Sequence, residues 1–276
     1  MATRHKRFSI GKFLFLVALQ FTILLLGIRL LFPKLWAVQT DFGVTSCLLL
    51  GLIFVCMLVI NTFFEWAFHI FVLHYTIFPW FKHLNQQHTL HHALTTIKLV
   101  KGRTILNEYP IDKEEKYEAS SFPWYALAGF WAFFSLLLIP VQLFLLPNSP
   151  VLLGGYAAVT FSMISYEVFH AMEHFPYEWW EHAVQHSRLR KYWKKIYAFH
   201  HFHHYNIFTN EAISGFFGLP LADWVFGTYH MPKELLLSGR VATIAETKVK
   251  PPRRFVVWLM NWARKRQSKL RLQKKI

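Results

Sequence analysis

The sequence contains only two cysteines, Cys47 and Cys56, among 276 residues. Both lie in one uninterrupted apolar segment, where their separation corresponds to about 13 Å along a helix. Two thiols this far apart cannot form a disulfide within that helix. The sequence therefore excludes a disulfide framework and a cysteine-based zinc site, and any metal chemistry must come from other side chains.

Acidic residues are also scarce, with 15 Asp and Glu against 30 Lys and Arg, and charged residues make up only 16% of the chain. Hydrophobic residues account for 54%, and 28 residues are Phe. This balance is typical of a membrane protein and not of a soluble enzyme. The basic excess does not indicate nucleic-acid binding, because the basic residues flank apolar segments and no nucleic-acid-binding motif is present.

Four apolar segments are long enough to cross a membrane, which requires about 20 mostly apolar residues. We place these spans at about residues 13–32, 44–64, 124–146 and 151–169. The first is longer than the apolar part of a signal peptide and no small-residue cleavage site follows it, so we expect it to remain as a span. The predicted fold is all-α: an integral membrane protein with four transmembrane helices and a cytoplasmic helical cap.

The basic residues are distributed unevenly around these spans. Of the 30 Lys and Arg residues, only Arg29 and Lys34 fall on the side opposite the N-terminus. The positive-inside rule therefore predicts that the N-terminus is cytoplasmic. A bacterial inner membrane and an endoplasmic reticulum membrane both fit this arrangement. We expect a basic N-terminus over residues 1–12 and a membrane domain over residues 13–252.

A basic amphipathic tail is expected over residues 253–276. Phe255, Val256, Leu259 and Trp262 can share one face of a helix. This pattern favours a helix that lies on an anionic membrane surface. A solvated basic tail is the alternative for the last ten residues.

Histidine, in contrast, is abundant, with 16 residues in the chain, most of them clustered at the ends of the apolar segments. Imidazole binds transition metals well, so the clusters predict a metal centre. Ten of the histidines form four regularly spaced clusters, all on the predicted cytoplasmic side: His69 and His74; His88, His91 and His92; His170 and His174; His200, His203 and His204. Six others fall outside this pattern: His5, His83, His182, His186, His201 and His230. Of these, His182 and His186 are also four residues apart and are an alternative to His170 and His174.

Helical spacing determines which of these histidines can act together, because each residue of an α-helix turns by about 100°. The pair His170 and His174 and both triplets each share one helix face. His69 and His74 diverge by about 140°, so they need a π-bulge, an unwound helix end or separate metals. In chain order, the ten histidines suggest two half-units of five.

Ten imidazoles exceed what one metal ion can bind, since a tetrahedral zinc ion takes at most four ligands. Two metals with five nitrogens each are therefore predicted. Five nitrogens with one open position suit six-coordinate iron better than structural zinc, although imidazole sites also accept zinc. Metal-bound imidazoles usually donate their second N–H to a carboxylate or a carbonyl. Glu65, Glu167 and Asp223 are the carboxylates predicted to support the ligands in this way, while Glu173 and Glu211 could equally serve as charge balance.

The ordered motifs His-X4-His, His-X2-His-His, His-X3-His and His-X2-His-His resemble the fatty acid hydroxylase superfamily. This membrane di-iron family includes sterol desaturases, fatty acid and sphingolipid hydroxylases and carotenoid hydroxylases. The segment from Tyr166 to His174, YEVFHAMEH, looks like that of fatty acid 2-hydroxylases, and the segment from Tyr192 to His204 is similar to the lead-in of the last triplet in carotenoid hydroxylases. The sequence DWVFGT, beginning at Asp223, is similar to the closing motif of many members. The resemblance covers about residues 60–230.

The resemblance implies a membrane-bound oxidoreductase that hydroxylates a lipid C–H bond with O2 at two iron ions, in lipid biosynthesis. The lipid could be a fatty acyl chain, a sphingolipid, a sterol or a carotenoid. The ten histidines would carry the reaction without a separate catalytic acid or base. The sequence lacks a GxGxxG motif after a strand and lacks haem and flavin motifs. Electrons are therefore expected from a separate cytoplasmic donor of the cytochrome b5, ferredoxin or reductase type, docking on the basic residues 188–195.

Two kinds of alternative remain open at the level of the sequence. A lipid desaturase or an aldehyde-forming oxygenase would use the same ligands, so the motifs do not separate them from a hydroxylase. A non-catalytic metal-binding membrane protein or a metal transporter is the other class. A transporter should carry its ligands near the bilayer midplane, whereas these histidines lie at the predicted helix ends.

Overall fold

The computed structural model describes residues 9–273 of the chain. The predicted basic N-terminus falls mostly on residues 1–8, which lie outside the described residues, as do residues 274–276 of the tail. The described residues are mostly helical. The α-helices are α1 (Ile10–Leu31), α2 (Pro33–Gln39), α3 (Val44–Phe68), α4 (Lys82–Leu94), α5 (Glu114–Glu118), α6 (Ala126–Pro140), α7 (Val151–Glu173), α8 (Tyr177–Val184), α9 (Arg190–Tyr205), α10 (Leu221–Phe226), α11 (Ile244–Thr247) and α12 (Arg254–Gln273).

Among the described residues, four helices are long and apolar enough to cross a membrane, which confirms the predicted number of candidate spans and supports an integral membrane protein. They run over Ile10–Leu31, Val44–His74, Ala126–Leu145 and Val151–Glu173. The second and third include π-helical ends, His69–His74 and Val141–Leu145. Large apolar side chains such as Phe15, Leu48 and Phe144 are exposed on them, as expected for surfaces that contact lipid. The second and fourth helices extend past the predicted span ends and thereby carry histidines.

The chain divides into two compact units. The first, here called the membrane unit, contains residues 9–61 and 122–168. Several of its buried polar groups pair with each other: Gln39 Nε2 donates to Gln142 Oε1 over 2.9 Å, and Trp131 Nε1 donates to Thr160 Oγ1 over 3.1 Å. Such pairing is required because hydrocarbon offers a polar group no alternative partner.

The second unit, here called the histidine unit, contains residues 62–121 and 169–273 among the described residues. Its helices include α4, α5 and α8 to α12, and the strands β1 (Ile97–Leu99) and β2 (Ile105–Asn107) form an antiparallel pair in which Leu99 lies opposite Ile105. The fold is therefore mostly helical and not strictly all-α. One apolar core surrounds Trp66 and Ile70, and another surrounds Tyr109 and Trp180.

The C-terminal segment forms the predicted helix, and one side of it packs in a protein core, which the sequence did not predict. Val256, Met260 and Ala263 are buried and pack in the core around Trp66. Their spacing of four and three residues aligns them on one side of α12. Phe255 and Trp262, predicted to share the apolar face with Val256, are exposed. The helix α12 therefore packs within the histidine unit, and part of the apolar surface of α12 stays uncovered.

Candidate metal centre

The conflict between His69 and His74 is resolved by a π-helix over His69–His74. A π-helix has i→i+5 hydrogen bonds, and here the Tyr75 N–H donates to the Ile70 carbonyl over 2.8 Å. One extra residue per turn brings positions five apart onto the same face. The two imidazole rings accordingly stack with centroids 4.8 Å apart and planes 19° from parallel. The π-bulge among the alternatives open at the sequence level is therefore confirmed.

The ten predicted ligands lie in two groups of five, each with its ligand nitrogens within 4.8 Å of one another. Both groups lie within the histidine unit. The first group contains His69, His74, His88, His92 and His203; the second contains His91, His170, His174, His200 and His204. The role of these residues as ligands stays a prediction, but the structure brings together all ten.

The groups do not follow the two half-units that the chain order suggested. His91 joins the second group and His203 joins the first. On an α-helix His88 and His92 are separated by about 40°, whereas His91 points about 60° to the other side of His88. The middle histidine of each triplet therefore faces the opposite group from its two neighbours. Each of α4 and α9 consequently contributes to both groups.

Within each group the imidazole nitrogens converge closely. In the first group, Nε2 of His88 lies 3.0 Å from Nε2 of His69 and 3.1 Å from Nε2 of His92, which lies 3.2 Å from Nε2 of His203. Neighbouring nitrogen ligands of a zinc ion, each about 2.1 Å from the metal and 90–109° apart, would be separated by about 3.0–3.4 Å. The observed spacing therefore suits nitrogens that share one ion.

The second group has the same spacing. Nε2 of His200 lies 3.2 Å from Nε2 of His174 and 3.2 Å from Nε2 of His204. Nε2 of His170 lies 3.2 Å from Nε2 of His91. The two groups adjoin each other, because the rings of His92 and His204 stack with centroids 4.2 Å apart.

Backbone carbonyl groups determine which nitrogen of several rings carries the proton. Nδ1 of His69 lies 2.7 Å from the Glu211 carbonyl, and Nδ1 of His203 lies 2.8 Å from the Thr209 carbonyl. A carbonyl oxygen can only accept a hydrogen bond, so each Nδ1 must donate. In a neutral ring this leaves a lone pair on Nε2, the nitrogen that faces the rest of the group.

The second group is supported in the same way. Nδ1 of His174 donates to the Tyr109 carbonyl over 2.9 Å, and Nδ1 of His204 lies 3.0 Å from the Thr95 carbonyl. Nδ1 of His91 lies 2.8 Å from Ser120 Oγ. The Ser120 hydroxyl itself donates to the Lys116 carbonyl, so its oxygen is the acceptor for His91.

These tautomers make the converging nitrogens a fit for a cation. Nε2 of His174 and Nε2 of His204 both present lone pairs toward Nε2 of His200. A proton on His200 Nε2 could join only one of them, whereas a metal ion placed among the three nitrogens would satisfy all of them. The donor set, five imidazoles in each group, therefore fits a transition-metal ion.

Burial keeps these rings in the form that binds metal. Desolvation, reinforced by the neighbouring imidazoles, holds the pKa of His88, His91, His92, His200 and His204 well below its usual range. The rings are therefore neutral at physiological pH. Neutral imidazole is the metal-binding form.

The carboxylates nearest to the two groups are Glu211 and Glu173. Glu211 Oε2 lies 3.5 Å from His69 Nδ1 and 3.8 Å from His74 Nε2, and Glu173 Oε2 lies 3.8 Å from His200 Nδ1. Both oxygens of Glu211 are buried and have no hydrogen-bond partner among the described residues. Desolvation and the nearby Asp223 hold the pKa of Glu211 well above its usual range. Each group thus has one buried carboxylate beside it.

The three carboxylates predicted to support the ligands have other described partners. Glu65 accepts hydrogen bonds from the Ile213 and Ser214 N–H groups over 3.3 and 3.2 Å. Glu167 accepts one from the Phe122 N–H over 2.8 Å. Asp223 accepts from the Glu211 and Ala212 N–H groups and from the Thr228 hydroxyl. Glu65 and Asp223 therefore act on the segment that presents the Glu211 carbonyl to His69, a support that helical spacing does not reveal.

The histidines outside the pattern stay apart from both groups. His83, His182 and His186 are exposed, and the alternative pair His182 and His186 belongs to neither group. His201 is fully buried, and its Nε2 lies 3.0 Å from Asn107 Nδ2. His230 is half-buried, and its ring packs on Phe202. His5 lies outside the described residues.

Several supporting residues had no signal in the sequence. The carbonyls of Tyr109 and Glu211 come from segments 65 and 142 residues away from their histidines, and the Thr209 carbonyl comes from the loop that follows α9. Ser120 lies in the polar stretch before the third span and had no spacing relation to His91. Thr95 lies at the C-terminal end of α4, just after the first triplet, but its carbonyl supports His204, which is 109 residues away.

We compared the chain with protein-family models, with curated proteins and with solved structures, and none of these comparisons gave a match. Membership of the fatty acid hydroxylase superfamily therefore rests on the resemblance of the histidine motifs and stays a prediction.

Proposed function

We propose that this protein is a membrane-bound di-iron oxidoreductase that uses O2 to hydroxylate a C–H bond of a lipid. The observation that carries the proposal is the pair of adjoining groups of five imidazoles, with their Nε2 lone pairs converging in each group. The ordered motif resemblance supplies the reaction class. Iron bound in these groups would supply redox chemistry toward O2, which the side chains cannot provide alone.

The chain's own residues would prepare this site in two ways. The carbonyls of Glu211, Thr209 and Tyr109 hold imidazole rings in one tautomer and one orientation, so little rearrangement would accompany metal binding. Most of the ten rings are buried, which keeps bulk water away from the centre. Five protein ligands would leave one position of a six-coordinate ion open, as catalysis requires and a purely structural site does not.

The positions of two ligand clusters on apolar helices support a lipid substrate. The helix Val44–His74 ends in His74, and the helix Val151–Glu173 carries His170. Two ligand clusters therefore terminate apolar spans, where a substrate dissolved in the bilayer is within reach. The charge distribution supports a cytoplasmic location for this end.

A separate electron donor is part of the proposal, and the structure narrows the surface that it could contact. Of the basic residues 188–195, Arg190 and Lys194 already pair with Glu181, with separations of 2.6 and 2.5 Å. Lys191 and Lys195 have no ion pair among the described residues. They line a cavity of about 300 Å³ together with Tyr192 and Trp224. We propose that these two lysines attract an acidic redox partner.

One structural feature, the position of Glu65, bears on the alternative that the protein transports a metal. The second span helix continues to His74, so Glu65 lies inside it. An ionisable residue in a span often marks an ion pathway. The Glu65 carboxylate, however, accepts backbone hydrogen bonds from Ile213 and Ser214. This arrangement supports a structural role for Glu65, so oxidation remains the proposed function.

The proposal is tested by metal analysis of the purified protein together with lipid profiling of cells with and without the gene. We expect two metal ions per chain and an oxidised lipid that disappears on deletion. Replacing His203 by Ala should abolish the product while membrane insertion is retained. His182→Ala, on the exposed face of α8, is the matched control and should leave the product unchanged. One metal or none per chain, with an unchanged lipid profile, would refute the enzyme proposal.

A further inference from the structure

A groove unrelated to the histidine groups lies between α12 and the segment that follows the second span. One wall consists of Ile77, Phe78, Pro79 and Trp80. The other wall is a single face of α12. This face carries Trp262, Lys265, Arg266 and Lys269. The spacing of three, four and seven residues from Trp262 places all four side chains on one side of the helix.

The groove combines an apolar wall with a cationic rim. Its volume is about 590 Å³, within the range of sites for small molecules. Trp80 is 74% exposed and Trp262 is 46% exposed, although large aromatic side chains are normally covered. Exposed Trp is typical of the membrane interface, where the ring can lie at the headgroup level.

The three cations of the rim lack a counter-charge within the part of the chain that the structure describes. No ion pair found among the described residues involves Lys265, Arg266 or Lys269. Neither α12 nor the segment 75–84 contains an acidic residue. A compact cationic rim of this kind favours an anionic ligand, and the uncovered aromatic wall favours one with an apolar part.

The position of the groove in the chain indicates where such a ligand comes from. Trp80 follows the end of the second span by only six residues. α12 is held beside this segment because Val256, Met260 and Ala263 pack in the same core as Tyr75 and Ile77. The groove therefore lies within the histidine unit, close along the chain to the end of a span.

We propose that this groove binds one anionic phospholipid, with its phosphate at Lys265, Arg266 and Lys269 and its acyl chain against Trp80 and Trp262. This is a discrete lipid site and goes beyond the general attraction of a basic tail to a membrane surface. It is independent of the metal groups and of the proposed oxidation. It can therefore be tested without measuring activity.

The test uses the full-length protein in a neutral detergent, titrated with dioctanoyl phosphatidylglycerol, with dioctanoyl phosphatidylcholine and with inorganic phosphate. Binding is followed by native mass spectrometry and by thermal stability. We expect saturable binding of one phosphatidylglycerol that phosphatidylcholine does not match. Inorganic phosphate should neither stabilise the protein nor compete, because it lacks the acyl chain.

Two variants and a matched control separate the contribution of the three cations from that of the aromatic wall. Lys265→Gln/Arg266→Gln/Lys269→Gln should weaken phosphatidylglycerol binding at least about tenfold, since each basic residue near an anionic surface contributes measurably. These side chains are exposed, so the variant should fold. Trp80→Ala should also weaken binding although the cations remain. Lys233→Gln/Lys248→Gln/Lys250→Gln removes the same charge from exposed positions outside the groove and should bind normally.

Several outcomes would overturn the proposal. Equal binding of phosphatidylglycerol and phosphatidylcholine would exclude headgroup recognition. Equal weakening by the two triple variants would show that net charge, and not this groove, attracts the lipid. Competition by inorganic phosphate would identify a simple anion site, and equal binding of an acidic peptide would identify a protein-docking surface.

Discussion

At the scale of single residues, a hydrogen-bond acceptor beside Nδ1 fixes the orientation of an imidazole ring. Nδ1 lies against a carbonyl or a hydroxyl in His69, His91, His174, His203 and His204, and His170 also forms a hydrogen bond with the Ser120 backbone. These acceptors hold the proton on Nδ1, so the Nε2 lone pair faces the other rings of the histidine group. Replacing a carbonyl by mutation is not possible, and the Thr95 hydroxyl shares His204 Nδ1 with the Thr95 carbonyl. The Ser120 hydroxyl beside His91 therefore offers the sharpest test.

Ser120→Ala removes the acceptor that holds His91 Nδ1. We expect the metal affinity of the second group to fall by about 10–100-fold, as is common when a ligand loses such support. The first group should keep its metal. The measurement is metal content per chain after dialysis against graded chelator. Ser121→Ala is the matched control, because the described contact of Ser121 is made by its backbone carbonyl with Gln87 Nε2; equal metal loss from both variants would contradict the assignment.

At the scale of elements, the π-helix and the loop over residues 211–215 place the first group. Gly215 packs directly on α3, and a Cβ at this position would lie 2.6 Å from the Thr62 Cα and 2.7 Å from its backbone nitrogen. Such a contact cannot be relieved by a side-chain rotation. The loop can therefore approach the helix only with glycine at this position, and the same loop provides the Glu211 carbonyl for His69.

Gly215→Ala should displace this loop. We expect destabilisation of about 1–3 kcal/mol, the usual cost of overpacking, and weaker metal binding in the first group than in the second. Chemical unfolding in detergent and metal analysis measure the two effects. Gly129→Ala on α6 is the control, since nothing lies within 4 Å of a Cβ there and alanine is the better helix former. An unchanged stability of Gly215→Ala would show that the loop is not constrained.

The N-terminal half of α9, which carries Lys191 and Lys195, has a testable role in contacting the electron donor. Lys191→Glu/Lys195→Glu should lower the rate of product formation with a protein electron donor and make it less dependent on salt. The rate with a small chemical reductant should be unchanged, because neither lysine belongs to the histidine groups. Lys98→Glu/Lys101→Glu provides the same charge change elsewhere. Equal rates for both variants with every donor would exclude this docking surface.

At the scale of the whole molecule, the buried imidazoles couple stability to pH. Burial lowers the pKa of His201 to about 3 and also lowers the pKa values of His88, His92, His200 and His204. Below about pH 6.5, the unfolded chain binds protons that the folded chain does not. Stability is therefore fully present above that pH and is lost as the pH falls toward the folded-state pKa values.

The metal-free protein should accordingly show a lower unfolding temperature at pH 5.5 than at pH 7.5. Thermal unfolding in detergent after chelation measures this change. His182→Asn, which removes an exposed histidine, should leave the pH dependence intact. His201→Asn should reduce it without abolishing it, because His201 is one of several buried histidines with a lowered pKa. A metal-free protein that is equally stable at both pH values would contradict the burial of neutral rings.

Much of this architecture was predictable because it depends on local sequence. The four spans follow from uninterrupted apolar length, and the ten clustered histidines follow from their spacing. Even the irregularity at His69 and His74 was foreseeable, because five-residue spacing conflicts with an α-helix and demands a π-helical turn or an unwound end.

Other features depend on contacts between distant segments, and no helical pattern contains them. The 100° step turns His91 and His203 away from their neighbours, but it does not show which group each of them faces, so the exchange of these two residues was missed. The supporting carboxylates were chosen by nearness in sequence, whereas Glu65 and Asp223 actually bind a loop more than 140 and 10 residues away, respectively.

The sequence by itself determined that the chain lies in a membrane and that ten imidazoles are available at helix ends. Both follow from composition and from the periodicity of one helix at a time. Only the tertiary structure decided which imidazoles share a group, which nitrogen each ring presents and which face of α12 stays uncovered. Those outcomes depend on where loops place carbonyl groups and apolar side chains, and packing alone brings such distant residues together.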